Sequence, residues 1–343
     1  MTFLAEMKTA VTPRAALLVI GTLVLQLLFI ASYVGALHNP KPKDVPFGVV
    51  APAQAGPRLV GELKGLSGRP LDPRTVSSAA EARKKVLNRD LDGALIVSPR
   101  GSKDTLLVAS GGGTVLSSSL DRIISAVEKT QRRGVRTVDV APASARDFDG
   151  LSAFYLVVGW CVGGYLCASI LAISAGSRAA NGRRAVLRLT TMALYSVLGG
   201  LGGAVIVGPV LGALPGSVLG LWGLGALVVF GVGAITLALQ ALTGIVGIGL
   251  AVLLVVIAGN PSAGGAFPLP MLPPFWHAIG PWLPPGAGTW VARSIAYFRG
   301  NSVTGPLLVL SGWAVVGTVI TIAMSTFRGR PATAPAARET PGA

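Results

Sequence analysis

Between Leu189 and Ala292 the chain carries no Asp, Glu, Lys or Arg. A folded protein in water carries about 25% charged residues and needs them to cover its surface. A segment of this length without one has lipid as its solvent. Only helices and closed barrels satisfy every backbone polar group in a bilayer, and apolar runs near 20 residues select the helix. The expected class is an α-helical integral membrane protein with six transmembrane helices, at 15–37, 153–175, 189–212, 217–237, 241–259 and 304–326. Pairs with small-xxx-small spacing, Gly199/Gly203, Gly208/Gly212 and Gly216/Gly220, would let helix backbones approach closely.

The first run, Ala15 to Leu37, reaches roughly 35 Å as a helix and exceeds a signal-peptide core of about 7–15 residues. It therefore reads as a retained span, with cleavage after Ala36 as the alternative. Residues 1–14 place Phe3, Met7 and Val11 on one helical face, as an interfacial helix on the cytoplasmic surface would.

Residues 38–150 differ in character and hold most of the acids. "VPFGVVAP", "GALIVSP", "DTLLVAS" and "VRTVDVAP" read as strands. "SAAEARKKVLNRD" reads as a helix capped by Ser78 with Glu81 closing a capping box, and "TVLSSSLDRIISAVEKTQRRG" as an amphipathic helix. This is a small α/β domain inserted between the first two spans. A cytoplasmic N-terminus puts it outside. The basic loop 176–188, with Arg178, Arg183, Arg184 and Arg188, and the disordered tail 327–343 then lie inside, as the positive-inside rule requires. The net charge of +15 is spread over these flanks and the polar domain without a basic-aromatic stripe, so nucleic acid is not an expected partner.

Residues 260–303 are too rich in proline for a long helix and too apolar for a loop. They read as an outer re-entrant or interfacial hairpin and candidate gate, marked by Asn260, Pro261, Gly264, Gly265, Pro268, Pro273, Phe275, Trp276, Trp282 and Trp290. Its two short helices would be "PFWHAIGPWL" and "GTWVARSIAYFRG", with Arg293 and Arg299 reaching outward. The simpler reading is a proline-stiffened loop resting on the bilayer.

The order of one span, an α/β domain, and five spans with "NPSAGGAFPLPMLPPF" before the last resembles the ABC-exporter permeases of the second type. It is most similar to their phage-infection-protein (YhgE/Pip) branch, and "SSAAEARKKVLNRDLDGALIVSP" adds to the likeness. The resemblance implies a permease subunit in the bacterial cytoplasmic membrane, paired as a homodimer or with a second half. It would export a hydrophobic or amphiphilic substrate at the expense of a separate ATPase docked on the basic loop.

The residues themselves fit a chain without reactive chemistry. After Gly150 the only acid is Glu339, and the spans carry no carboxylate of the kind ion-coupled transporters use. There is no Walker A loop, no G-x-S-x-G, no H-E-x-x-H and no Cys/His cluster, so neither catalysis nor a cofactor is expected of this chain. His277 reads as an interfacial ring, Gln26 and Gln240 as interhelical hydrogen-bonding groups, and the acids Asp90, Asp92, Asp147 and Asp149 as solvated turn residues. The reading from another class is an envelope scaffold or receptor acting through its α/β domain without transport.

Overall fold

The structure is a computed structural model that describes residues 12–176 and 178–328; the expected N-terminal interfacial helix and most of the tail lie outside these. Helix α1 (Pro13–Leu37) starts where the Thr12 hydroxyl accepts from the Ala15 amide at 3.2 Å, with Pro13 at a position that needs no N–H. The α/β domain comprises β1 (Val45–Val50), α2 (Gly56–Lys64), β2 (Leu71–Thr75), α3 (Ala79–Leu87), β3 (Gly93–Ile96), β4 (Lys103–Val108), α4 (Thr114–Thr130) and β5 (Gly134–Asp139). Then follow α5 (Ser152–Ala175), α6 (Gly182–Val210), α7 (Val218–Thr243), α8 (Val246–Ser262), α9 (Pro274–Ile279), α10 (Pro284–Tyr297) and α11 (Thr304–Arg328).

Helices α1, α5, α6, α7 and α11 are long and apolar enough to cross a membrane, with mean hydropathy between 1.7 and 2.4. They leave Ile173, Leu198, Leu219 and Leu308 between 67% and 73% exposed. In water such a belt would drive aggregation, whereas lipid is the solvent it suits. The chain is a multi-pass helical membrane protein. The expected span at 241–259 takes another form. α7 runs on past Leu237 to Thr243, and Gly244, at φ +69°, breaks the helix. The following α8 widens into a π stretch over Leu253–Gly259 and covers roughly 25 Å, less than the ~30 Å of a hydrocarbon core. Length and composition thus give five spans among the described residues, not six.

The loop expected over 176–188 is also shorter than the charge pattern suggested. Asn181 Oδ1 accepts from the Arg184 amide at 3.0 Å and starts α6 at Gly182, so Arg183, Arg184 and Arg188 stand on its first turns.

In the α/β domain the strand order is β2-β1-β3-β4-β5, with only the β3/β4 pair antiparallel. Pro73 lies in edge strand β2, where a missing ladder donor is tolerated. Ser78 accepts from the Glu81 amide at 3.2 Å as the capping box requires, while the Glu81 carboxylate reaches back to Ser77 rather than to Ser78. One face of the sheet buries Phe47, Leu71, Leu95 and Leu106 under Leu63 of α2 and the Leu116, Leu120 and Ile124 stripe of α4. The other packs Ala94 and Leu107 against Ala82 and Val86 of α3.

Residues from beyond the domain complete both cores. Met271 is buried in the first with Phe267 packed against it, and Phe298, 2% exposed, closes the second. The domain is therefore packed into the segment joining α8 to α11. Within the bundle, α7 is central and touches α5, α6, α8, α10 and α11. Its Gly225 faces Gly200 of α6, where an added Cβ would lie 2.5 Å from the Ala226 nitrogen. Of the glycine pairs expected to let helices approach, Gly203 meets Trp160, but Gly199 faces open space.

Candidate functional site between the domain and the hairpin

Arg293, on α10, is the first charged residue after the uncharged run and is only 3% exposed. This corrects the expectation that it reaches outward. Helix α10 is buried over most of its length, from Pro284 to Ser294 with Trp290 excepted, so a side chain on its inner face is held away from bulk water. Its guanidinium is instead met by backbone. Nη1 donates to the Gly264 carbonyl at 2.7 Å, and Nη2 donates to those of Gly265 at 2.7 Å and Gly150 at 3.2 Å. Gly264 holds φ +68°, which an L side chain rarely adopts, and so turns its carbonyl into the fork. A Cβ on Gly265 would collide with Phe154. These two glycines of the expected hairpin motif are thus the acceptors of a buried cation.

A second guanidinium approaches from the domain. Arg89, just beyond α3, stacks on the Trp290 indole at 3.4 Å from its centroid and on Phe298 at 4.9 Å. Its Nη1 donates to the Trp290 carbonyl at 2.9 Å and to the Ser294 hydroxyl at 2.7 Å. Burial, with the neighbouring Arg293 charge, lowers Arg89 to about 9, and burial raises Asp92 to about 6 against the opposing pull of Arg89. Asp92, half-buried in the wall shared with Arg89, is therefore not the fully solvated turn residue its sequence surroundings suggested. Nor is Asp147, which is 2% exposed, accepts from the Ser152 amide at 2.7 Å and accepts from the Tyr297 hydroxyl at 2.5 Å.

Around these groups lies a cavity of about 410 Å³, lined from the domain by Arg89, Asp92, Leu116 and Ser117 and from the hairpin by Gly264, Pro268, Trp290 and Arg293. Pro268 also packs on Gly113 at the start of α4, where a Cβ would clash with it. The arrangement can hold a small polar group between two cations in a largely apolar wall. Among the described residues no group of three or more His, Cys, Asp or Glu is placed to hold a metal ion.

The other marked residues do not gather there. Asn260 and Pro261 are buried at the end of α8, and Asn260 meets the Tyr33 hydroxyl of α1. Pro273 precedes α9; Phe275 is exposed and lies edge-on to Trp276, their centroids 5.1 Å apart. Trp282 is 69% exposed, and its carbonyl accepts from Trp313 Nε1 at 2.8 Å. At the opposite ends of the spans the four arginines divide. Arg188, buried, donates to the Ala175 carbonyl at 2.8 Å and the Gly176 carbonyl at 2.7 Å at the end of α5, where the helix dipole favours a cation. Arg178 Nη2 donates to the Leu242 carbonyl at 3.4 Å, near the end of α7. Arg183 and Arg184 are exposed.

Sequence reasoning missed Arg89, Asp92 and the buried state of Arg293. For Arg293 a signal was present, since a lone cation ending a long uncharged run has a poor chance of reaching water. For Arg89 there was none, because its partners Trp290 and Ser294 lie some 200 residues away. No protein-family model, no curated protein and no solved structure matches this chain.

Proposed function

We propose that the chain is the membrane-spanning subunit of an exporter, moving a hydrophobic or amphiphilic molecule outward across a bacterial cytoplasmic membrane and driven by a separate ATPase. In this reading both termini are cytoplasmic and the α/β domain is outside. α8 counts as a sixth, short span, and the chain works as a pair, as a homodimer or with a second permease half. The observation that carries it is α10: this buried helix bears Arg293 at the cavity and packs on α5, α7 and α11, which are long and apolar enough to cross the membrane. A shift of those helices would reach the cavity through α10 directly. At their other ends, Arg178 and Arg188 tie α5, α6 and α7 together while Arg183 and Arg184 remain exposed for a partner.

The test is export into inverted vesicles with the co-purifying ATPase. A fluorescent amphiphile should accumulate on ATP addition, and Arg183→Ala with Arg184→Ala should abolish this while membrane insertion and orientation stay intact. If no ATPase accompanies the protein from gently solubilised membranes and the double variant behaves as wild type, the scaffold or receptor reading replaces this one.

A further inference from the structure

We propose that the cavity between the α/β domain and the hairpin is an oxyanion-binding site, taking a phosphate or carboxylate group on Arg293. The inference concerns binding alone and stands whether or not the chain transports anything. Three observations point the same way. First, Arg293 is held by three carbonyls through Nη1 and Nη2, while its buried Nε–H has no partner among the described residues. Buried donors are nearly always matched, so one left over on a residue lining a cavity, closed to solvent as the structure stands, is a donor free to take up an entering acceptor. Carbonyl dipoles orient the guanidinium but do not neutralise it.

Second, two guanidinium cations border the cavity without a direct ion pair of their own. Arg89 lines the same cavity, and no ion pair within 4.0 Å joins either arginine to a carboxylate among the described residues. Of the two acids in the lining, Asp44 is bridged by Arg69 at 2.9 Å, and Asp92 is the counter-charge felt by Arg89. Asp147, whose field reaches Arg293, is engaged by the Ser152 amide and the Tyr297 hydroxyl. Two like charges sharing a desolvated space repel, and an oxyanion between them relieves both. Third, Leu116, Pro268, Leu269 and Phe298 supply an apolar wall. A wall of that kind strengthens a charge-assisted hydrogen bond relative to water and admits the first carbons of an attached chain.

The group could arrive free in solution or as the head of an amphiphile, and one experiment separates these sources. The full chain in maltoside micelles is heated with inorganic phosphate, dodecyl phosphate or dodecanol at matched ionic strength, and the unfolding temperature is followed against concentration. A saturable rise with dodecyl phosphate and none with dodecanol is expected. An equal half-saturation with inorganic phosphate identifies a free oxyanion, whereas a response that needs the chain identifies an amphiphile. Ser117→Trp, which fills the cavity from the α4 side, should remove the response, and Arg293→Gln should weaken the half-saturating concentration by about tenfold or more. If Arg293→Gln does not fold, Ser117→Trp decides alone. Absence of a saturable rise in the wild type with either phosphate, or a Ser117→Trp response equal to wild type, overturns the proposal and leaves Arg293 as a clamp on the Gly264 turn.

Discussion

Gly199 and Gly200 are neighbours on α6, yet an alanine should have opposite consequences at the two. At Gly199 nothing lies within 4 Å of an added Cβ; at Gly200 the Cβ would meet the Ala226 nitrogen at 2.5 Å, the Gly225 carbonyl carbon at 2.9 Å and the Trp222 oxygen at 3.0 Å. All three are backbone of α7, so no side chain can swing away. Relief requires α6 and α7 to separate, and overpacking of this kind costs about 1–3 kcal/mol. Both substitutions share the gain from replacing glycine inside a helix, about 1 kcal/mol, so that contribution cancels in the comparison. Gly199→Ala should be neutral or stabilising by up to about 1 kcal/mol. Gly200→Ala should lie about 1–3 kcal/mol below it, roughly a 5- to 150-fold difference in the unfolding equilibrium. The measurement is reversible unfolding of both variants in mixed micelles with increasing denaturing detergent. Equal midpoints, or a lower one for Gly199→Ala, would refute the packing of α6 on α7.

Two further outcomes follow from the α/β domain. Glu128 and Asp104 are buried side by side next to Arg133, which bonds Asp104 at 2.5 Å; burial and the Asp104 charge raise Glu128 to about 7. A carboxyl raised in the folded state binds its proton more tightly there than when unfolded. Its contribution is therefore full below the unfolded value of 4.5 and is lost as pH climbs towards 7. Glu128→Gln should cancel this loss, so its advantage over wild type in thermal unfolding should grow between pH 5 and pH 8; an advantage that shrinks over that range contradicts the assignment. Gly113→Ala should loosen the domain from the hairpin, because φ +151° and the Pro268 ring both exclude a Cβ. Faster amide exchange in residues 263–272, with β1 and β3 unchanged, is the expected signature.

The legible part of this chain is the part governed by solvent. The uncharged run from Leu189 to Ala292 announces lipid without any knowledge of packing, and the strand and helix periodicities of 45–139 placed most of the α/β domain. Helix α2 and strand β2 were not read, because "GPRLVGELK" is short and "LDPRT" has a proline and two charges that suit only an edge. Breaks inside apolar sequence were equally hidden. Hydropathy cannot register the turn at Gly244, so the end of α7 and the reduced length of α8 came only from backbone geometry. The site divided along the same line. Gly264, Gly265, Pro268 and Trp290 stood out by composition, but what they surround depends on Arg89 and Arg293. Those are ordinary surface residues by type, and packing between distant segments is what buries them.

Helix α1 has a consequence for how the protein is made. Only 6% of its apolar window is covered, and its contacts fall mainly on the π stretch and end of α8, residues 253–262, with Leu25 near Gly249. A ribosome must therefore add more than two hundred residues before this helix meets its neighbour. Through that interval it holds its place by its own affinity for hydrocarbon, and its mean hydropathy of 2.4, the highest of the five spans, is suited to that wait.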